Sequence, residues 1–153
     1  MVKGMIRHLS HSVAETEAFG ESLARAAEGG WVIGLSGDLG AGKTALVRGF
    51  ARGLGCTGRV HSPTFALLNE YEGGRLRLFH LDLYRLNSPD EVHGAGLEEY
   101  LHQPDGVAVV EWIERWTDGA ASTAADGSEK LRRLYLTTLG ETVREIVYDD
   151  AGH

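Results

Sequence analysis

The chain has a single cysteine, Cys56, so no intrachain disulfide framework can hold it together. Cys56 reads as a small residue at a helix end. No apolar run approaches the roughly 20 residues that a bilayer-spanning helix needs. The first residues, Met-Val-Lys-Gly-Met-Ile-Arg-His, lack the apolar core of a signal peptide. Basic charge is also scarce. Fifteen Lys and Arg stand against 22 Asp and Glu, a net charge of −7. Strong unaided binding to nucleic acid usually draws on a basic face, and this composition speaks against it. A role beside RNA stays open if another subunit does the holding. The acids are not gathered in a tail, so they read as solvated surface. No segment repeats. These absences leave one soluble, cytoplasmic domain over residues 1–153, long enough to bury about two-thirds of its unfolded surface.

What is present is more specific. Gly37-Asp38-Leu39-Gly40-Ala41-Gly42-Lys43-Thr44 fits the phosphate-binding loop pattern, Gly-x4-Gly-Lys-Ser/Thr. Glycines let the backbone curl so that successive N–H groups point at an anion. A helix opened by the loop adds its positive end. Lys43 would reach the β- and γ-phosphates as a point charge, and Thr44 would offer its hydroxyl to Mg2+. The context agrees. Trp31 to Ser36 reads as a buried strand, and Leu46, Val47, Phe50, Ala51 and Leu54 recur at helical spacing. A glycine-rich turn that merely caps a helix has no need of Lys and Thr at those places.

Elsewhere Ser12-Val13-Ala14-Glu15 forms a capping box, predicting a helix to about Ala27 that stops at Gly29-Gly30. The helix after the phosphate loop should end between Gly53 and Gly58. Val60-His61-Ser62-Pro63-Thr64-Phe65 reads as an extended loop, because Pro63 disfavours helix at Ser62. Phe65–Tyr71 and Leu76–Tyr84 read as strands joined through Gly73-Gly74. On the second, Leu76, Leu78, His80, Asp82 and Tyr84 share a face that turns polar toward its C-terminal end. Ser88-Pro89-Asp90-Glu91 starts another helix, and Leu97–Leu101 forms a short one. Val107–Val110 is a buried strand ending in Glu111-Trp112. Residues 118–130 read as a mobile loop. Leu131–Leu139 and Thr142–Tyr148 pair through Gly140-Glu141. Alternating strands and helices give an α/β three-layer sandwich of the P-loop NTPase kind, with a mixed parallel and antiparallel central sheet.

A triphosphate brings Mg2+, which takes oxygen ligands and often one or two carboxylates. Asp82 and Glu111 each end an apolar strand and are the candidates. Taken singly, each is also an ordinary strand-end acid. His80 reads either as a metal ligand or base, or as a hydrogen-bonded strand histidine; no second His or Cys stands beside it at ligand spacing. Thr64 sits where nucleotide-sensing loops meet a γ-phosphate, and equally suits a turn. Arg85 is by default a surface or ion-pair residue. The candidate catalytic set is Lys43, Thr64, Asp82 and Glu111.

Several segments together resemble the TsaE family of small ATPases in bacterial tRNA threonylcarbamoyladenosine biosynthesis. They are Ala14-Glu15-Thr16 with Gly20 and Leu23, the loop Gly37–Thr44, and Val60–Phe65. Then come Tyr71, His80-Leu81-Asp82-Leu83-Tyr84-Arg85, Gly96-Leu97-Glu98-Glu99-Tyr100, and Glu111-Trp112. They run in the family's order across about residues 14 to 115, and the tail beyond about 116 carries no signature. The resemblance implies that Gly37 to Thr44 hold the phosphates of ATP. It implies that Thr44, Asp82 and Glu111 serve Mg2+ or its water shell, and that Trp112 lies near the nucleotide. Ser62–Phe65 and His80–Arg85 would match two switch-like loops. Implied partners are TsaD-like and TsaB-like proteins, with tRNA engaged only through them and no membrane. The ATPase activity would reset that complex between rounds of modification. One departure is visible: the family commonly has Pro after Glu-Trp, where this chain has Ile113. The change bears on the turn and removes no ligand.

Other functions share the phosphate loop. A small-molecule kinase needs an acceptor pocket and usually an arginine-bearing lid, and Arg132-Arg133 is the only adjacent basic pair late in the chain. A GTPase switch lacks its guanine-reading Asn-Lys-x-Asp segment here. A nucleotide-sensing adaptor without turnover would not need both acids.

Overall fold

Capping chemistry sets the first helix. In the computed structural model, which describes residues 5–37, 41–58, 60, 67–116 and 131–149, strand β1 (Met5–Ser10) leads into helix α1 (Val13–Ala26). Ser12 Oγ accepts the Glu15 N–H at 3.0 Å. Glu15 reaches back to the N–H of His11 at 2.8 Å, one residue before the cap. Strand β2 (Val32–Gly37) and helix α2 (Lys43–Leu54) follow, then strands β3 (Leu68–Tyr71) and β4 (Leu78–Asp82). Helix α3 (Pro89–Gly94) is capped by Ser88 Oγ on the Glu91 N–H at 3.2 Å. Helix α4 (Glu98–His102), strand β5 (Val107–Glu111), a 3-10 turn at Ile113–Arg115, and strands β6 (Leu131–Thr138) and β7 (Arg144–Asp149) complete the order.

The strands form one seven-stranded sheet in the order β1-β7-β6-β2-β5-β4-β3. β2 runs parallel to both β5 and β6, and β4 parallel to β5. The β3–β4, β6–β7 and β1–β7 pairs are antiparallel. Side chains alternate between two cores. Ile33 and Leu35, Val107 and Val109, and Leu78 face α1 and α2. Val32, Ala108, Val110, Phe79 and Leu81 face the layer that contains α3 and α4. The central strands are therefore apolar on both faces, as a sheet covered on both sides requires. This is the expected mixed α/β sandwich. No described helix is long and apolar enough to cross a membrane.

Helices α1 and α2 touch through backbone. A Cβ on Gly49 would lie 1.8 Å from the Glu17 carbonyl oxygen, and one on Gly20 would lie 2.2 Å from that of Leu46. Only glycine permits that approach. Arg48 and Arg52 then span the seam to Glu17, and Arg52 also reaches Glu21. The crossing fixes the start of α2 above the C-terminal ends of the parallel strands.

No local pattern predicts an element before Ser12, yet Met5–Ser10 pairs with β7 along its whole length. Polar residues interrupt both of its faces, so a local pattern is lacking. The strand continues no further than Asp82, because Asp82 Oδ1 accepts the Tyr84 N–H at 3.0 Å and turns the chain. Leu76 and Tyr84 thus leave the shared face, which keeps Leu78, His80 and Asp82. The expectations for residues 61–66 and for the 118–130 loop lie outside the described residues.

Candidate functional site

Strand β2 ends at Gly37, where a side chain would sit 2.4 Å from the Leu136 carbonyl oxygen. The described chain resumes at Ala41, fully buried, and Gly42 caps α2 in the left-handed region at φ 99°. Helix α2 has no capping side chain and no acid in its first turn, unlike α1 and α3. Its positive end is left to whatever anion approaches it. Lys43 is almost completely buried. Its Nζ donates to the Gly37 carbonyl at 2.5 Å and lies 4.6 Å from the Trp112 ring centroid.

The acids come from neighbouring strands. Asp82 and Glu111 are register partners at the ends of parallel β4 and β5, so their side chains leave the same face. Glu111 is only 3% exposed. Its Oε2 accepts from Thr44 Oγ1 at 3.5 Å and from His80 Nε2 at 2.6 Å. Asp82 is partly buried, and its carboxyl is held above the usual aspartate range. Burial is the main cause, and the Glu111 charge adds to it. The Tyr84 N–H, His80 and Lys43 pull the other way. Among the described residues no three His, Cys, Asp or Glu side chains form a metal cage. An all-oxygen set of Thr44, Asp82 and Glu111 instead fits Mg2+, which keeps several waters and takes few protein ligands.

Trp112 closes the site. It adopts φ 62°, the only non-glycine in the left-handed region among the described residues. The Arg115 N–H bonds its carbonyl at 2.9 Å, which brings the Arg115 guanidinium 5.5 Å from the Trp112 ring and 5.9 Å from the Tyr84 ring. Those two rings lie 5.0 Å apart. Ile113 starts the 3-10 turn and is fully buried, and a Cβ on Gly34 would meet its Cγ1 at 2.6 Å. So Ile113 fills the space over the bare backbone of β2. Ser36 Oγ ties the turn down through Glu114 Oε1 at 3.0 Å.

Gly37, Ala41, Gly42, Lys43, Thr44, Asp82, Glu111 and Trp112 therefore gather at one end of the sheet. Asp38, Leu39, Gly40 and Thr64 lie outside the described residues. Arg85 is exposed. Arg132 and Arg133 lie in β6, where Arg132 stacks 3.7 Å from the Trp31 ring centroid. His80 is hydrogen-bonded within the sheet, its Nε2 lying 2.6 Å from Glu111 Oε2. Its partner, Glu111, could not be read locally, although the shared face of His80 and Asp82 was a signal. Arg115 carried no signal: its place depends on the left-handed turn at Trp112.

A family model described as "Threonylcarbamoyl adenosine biosynthesis protein TsaE" matches residues 10–143. A protein named tRNA threonylcarbamoyladenosine biosynthesis protein TsaE from Bacillus subtilis is 50% identical over 139 residues, 91% of this chain and 82% of its own length. The protein of the same name from Treponema pallidum is 44% identical over 141 residues, covering 92% and 98%. A Synechocystis protein of that name is 50% identical over 103 residues, 65% of each chain. A solved structure described as Bacillus subtilis YdiB superposes with a TM-score of 0.74 at 35% identity, covering 99% of this chain and 88% of that one.

Proposed function

The chain belongs to the TsaE family of tRNA threonylcarbamoyladenosine biosynthesis, and we propose that within it this protein binds Mg2+–ATP and hydrolyses it. The observation that carries the reading is the convergence of Lys43 and Thr44, at the uncapped start of α2, with Asp82 and Glu111 at adjoining strand ends. Ligands of open α/β sheets bind beyond such ends.

The residues divide the work by their chemistry. Gly37 to Thr44 cradle the phosphates, and Lys43 exchanges the Gly37 carbonyl for a phosphate oxygen. Thr44 and the two carboxylates would hold the metal or its water shell. Mg2+, when bound, would supply positive charge to offset that of the phosphates. Hydrolysis puts a water oxygen on the γ-phosphorus and breaks its bond to the bridging oxygen. ADP and inorganic phosphate leave, and the proton departs with the phosphate. Trp112 and Tyr84 wall the site beside Lys43.

In the cytoplasm the protein would act on a TsaD-like and TsaB-like assembly and reset it between rounds of modification. It would meet tRNA only through those partners. A net charge of −7 supports the indirect role. The test is phosphate release from ATP with and without Mg2+, for the parent and Lys43→Ala. Hydrolysis that needs both Mg2+ and Lys43, without added nucleoside, sugar or acid, supports the reading. Turnover only with such an acceptor would make the protein a kinase instead.

A further inference from the structure

The proposed chemistry gives no part to His80, a buried histidine beside the site. His80 has no solvent exposure. It stands on β4 opposite Asn69 of β3 and Val109 of β5. Its Nε2 meets Glu111 Oε2 at 2.6 Å, a short contact for a nitrogen donor, as expected when the acceptor is a carboxylate. Its Nδ1 is buried and has no hydrogen-bond partner among the described residues.

That asymmetry selects the proton position. With the proton on Nε2, the ring donates to the carboxylate and leaves a bare lone pair at Nδ1. The other tautomer would strand an N–H in the core and set a lone pair against the carboxylate oxygen. The same oxygen of Glu111 also receives the Thr44 hydroxyl. Both donors therefore crowd Oε2, and Oε1 accepts no hydrogen bond from the described residues.

We propose that His80 is a positioning residue for ATP hydrolysis. It pins Glu111 Oε2 so that Oε1 is the oxygen presented to a water molecule at the phosphate site. His80 touches neither nucleotide nor metal and acts only through Glu111. A glutamate has three rotatable bonds, and a carboxylate left to sample them would spend little time aligned with that water. The inference rests on the ATPase reading.

Two His80 variants, a Glu111→Gln background and one spectroscopic measurement test it. His80→Leu removes the donor at similar volume, and His80→Gln keeps an N–H. His80→Leu should lower kcat by about tenfold to a hundredfold, the range that misplaced catalytic geometry produces. KM and the affinity for ATP without Mg2+ should stay within about threefold, since no phosphate contact is lost. His80→Gln should recover part of kcat. In a Glu111→Gln background His80→Leu should cost nothing further, because the two act as one unit. In nucleotide-free parent protein, a long-range proton–nitrogen NMR spectrum should show His80 protonated at Nε2. This last measurement needs neither turnover nor a folded variant. A proton on Nδ1 alone overturns the proposal. So does a His80→Leu variant with parental kcat, or one whose loss adds in full to that of Glu111→Gln. If the parent itself fails to hydrolyse ATP, both the ATPase reading and this inference fall. An active parent with an equally active His80→Leu sinks this inference alone.

Discussion

Lys43 Nζ lies 4.6 Å from the centroid of the Trp112 ring while it donates to the Gly37 carbonyl at 2.5 Å. A buried ammonium therefore rests between a backbone oxygen and the face of an indole. Both partners are ones that a phosphate can displace. The arrangement also places a fluorophore beside the charge that would meet a bound nucleotide under the proposed function.

Lys43→Ala should weaken ATP binding at least about tenfold, since a charge-assisted hydrogen bond contributes roughly 1.5–3 kcal/mol. Titration of tryptophan fluorescence measures it. Trp112→Phe should remove most of the signal change, which separates Trp112 from Trp31 and Trp116. Unchanged affinity in Lys43→Ala would remove the phosphate-loop assignment.

Asp82→Asn and Glu111→Gln should each lower Mg2+-dependent hydrolysis, because both keep size and lose the charge the metal needs. Nucleotide binding without Mg2+ should largely survive. Phosphate release and equilibrium binding, measured on the same samples, check the two statements. Parental hydrolysis in Asp82→Asn would leave that residue as a strand-end acid only.

The same Asp82→Asn change should make the nucleotide-free protein more stable at neutral pH. Burial, with Glu111 beside it, holds the Asp82 carboxyl above its ordinary value. A group whose folded pKa is raised binds its proton more tightly in the folded state. The resulting stability is complete below the ordinary aspartate pKa and is lost as pH rises through the raised one. At pH 7 the ionised carboxylate therefore works against folding, and asparagine relieves it. Tm should rise for the variant at pH 7, and the gain should vanish near pH 3. An equal gain at both values would point to a cause other than charge.

Gly49→Ala should destabilise the fold by about 3 kcal/mol or more, since overpacking in a tight seam reaches that size. Its Cβ would fall 1.8 Å from the Glu17 carbonyl oxygen, so α1 must move away. Chemical denaturation measures the loss. ATP affinity should fall with it, because the seam holds the start of α2. An alanine variant as stable as the parent would show that the helices are not in backbone contact there.

In cells lacking the protein, threonylcarbamoyladenosine in tRNA should fall, and the parent gene should restore it while Lys43→Ala does not. Mass spectrometry of tRNA nucleosides decides this. Isolated tRNA should bind the acidic protein poorly at physiological salt. A TsaB-like and TsaD-like pair should raise its ATPase rate, since a partner can complete a site that is loose alone. Normal nucleoside levels in the deletion strain, with no redundant copy, would refute the cellular role and leave the nucleotide site standing.

Much of this protein is determined by short-range sequence alone. The Ser12 and Ser88 caps, the apolar stripe of α2, the continuous apolar runs of β2 and β5, and Gly42-Lys43-Thr44 all act within a few residues. Local sterics and local hydrogen bonds decide such features. The tertiary structure decided what lies far apart in the chain. His80 and Glu111 are 31 residues apart, and only the parallel pairing of β4 with β5 makes them partners. That pairing also turns two separate strand-end acids into one site. β1 was hidden because its fit to β7 depends on a strand near the other end of the chain. Lys43 and Trp112 meet because β2 and β5 are neighbours in the sheet and because Trp112 turns left-handed over Ile113. A residue's own neighbourhood sets its backbone preference. Which strand lies beside which follows from burying both faces of the whole sheet at once, and no segment carries that information alone.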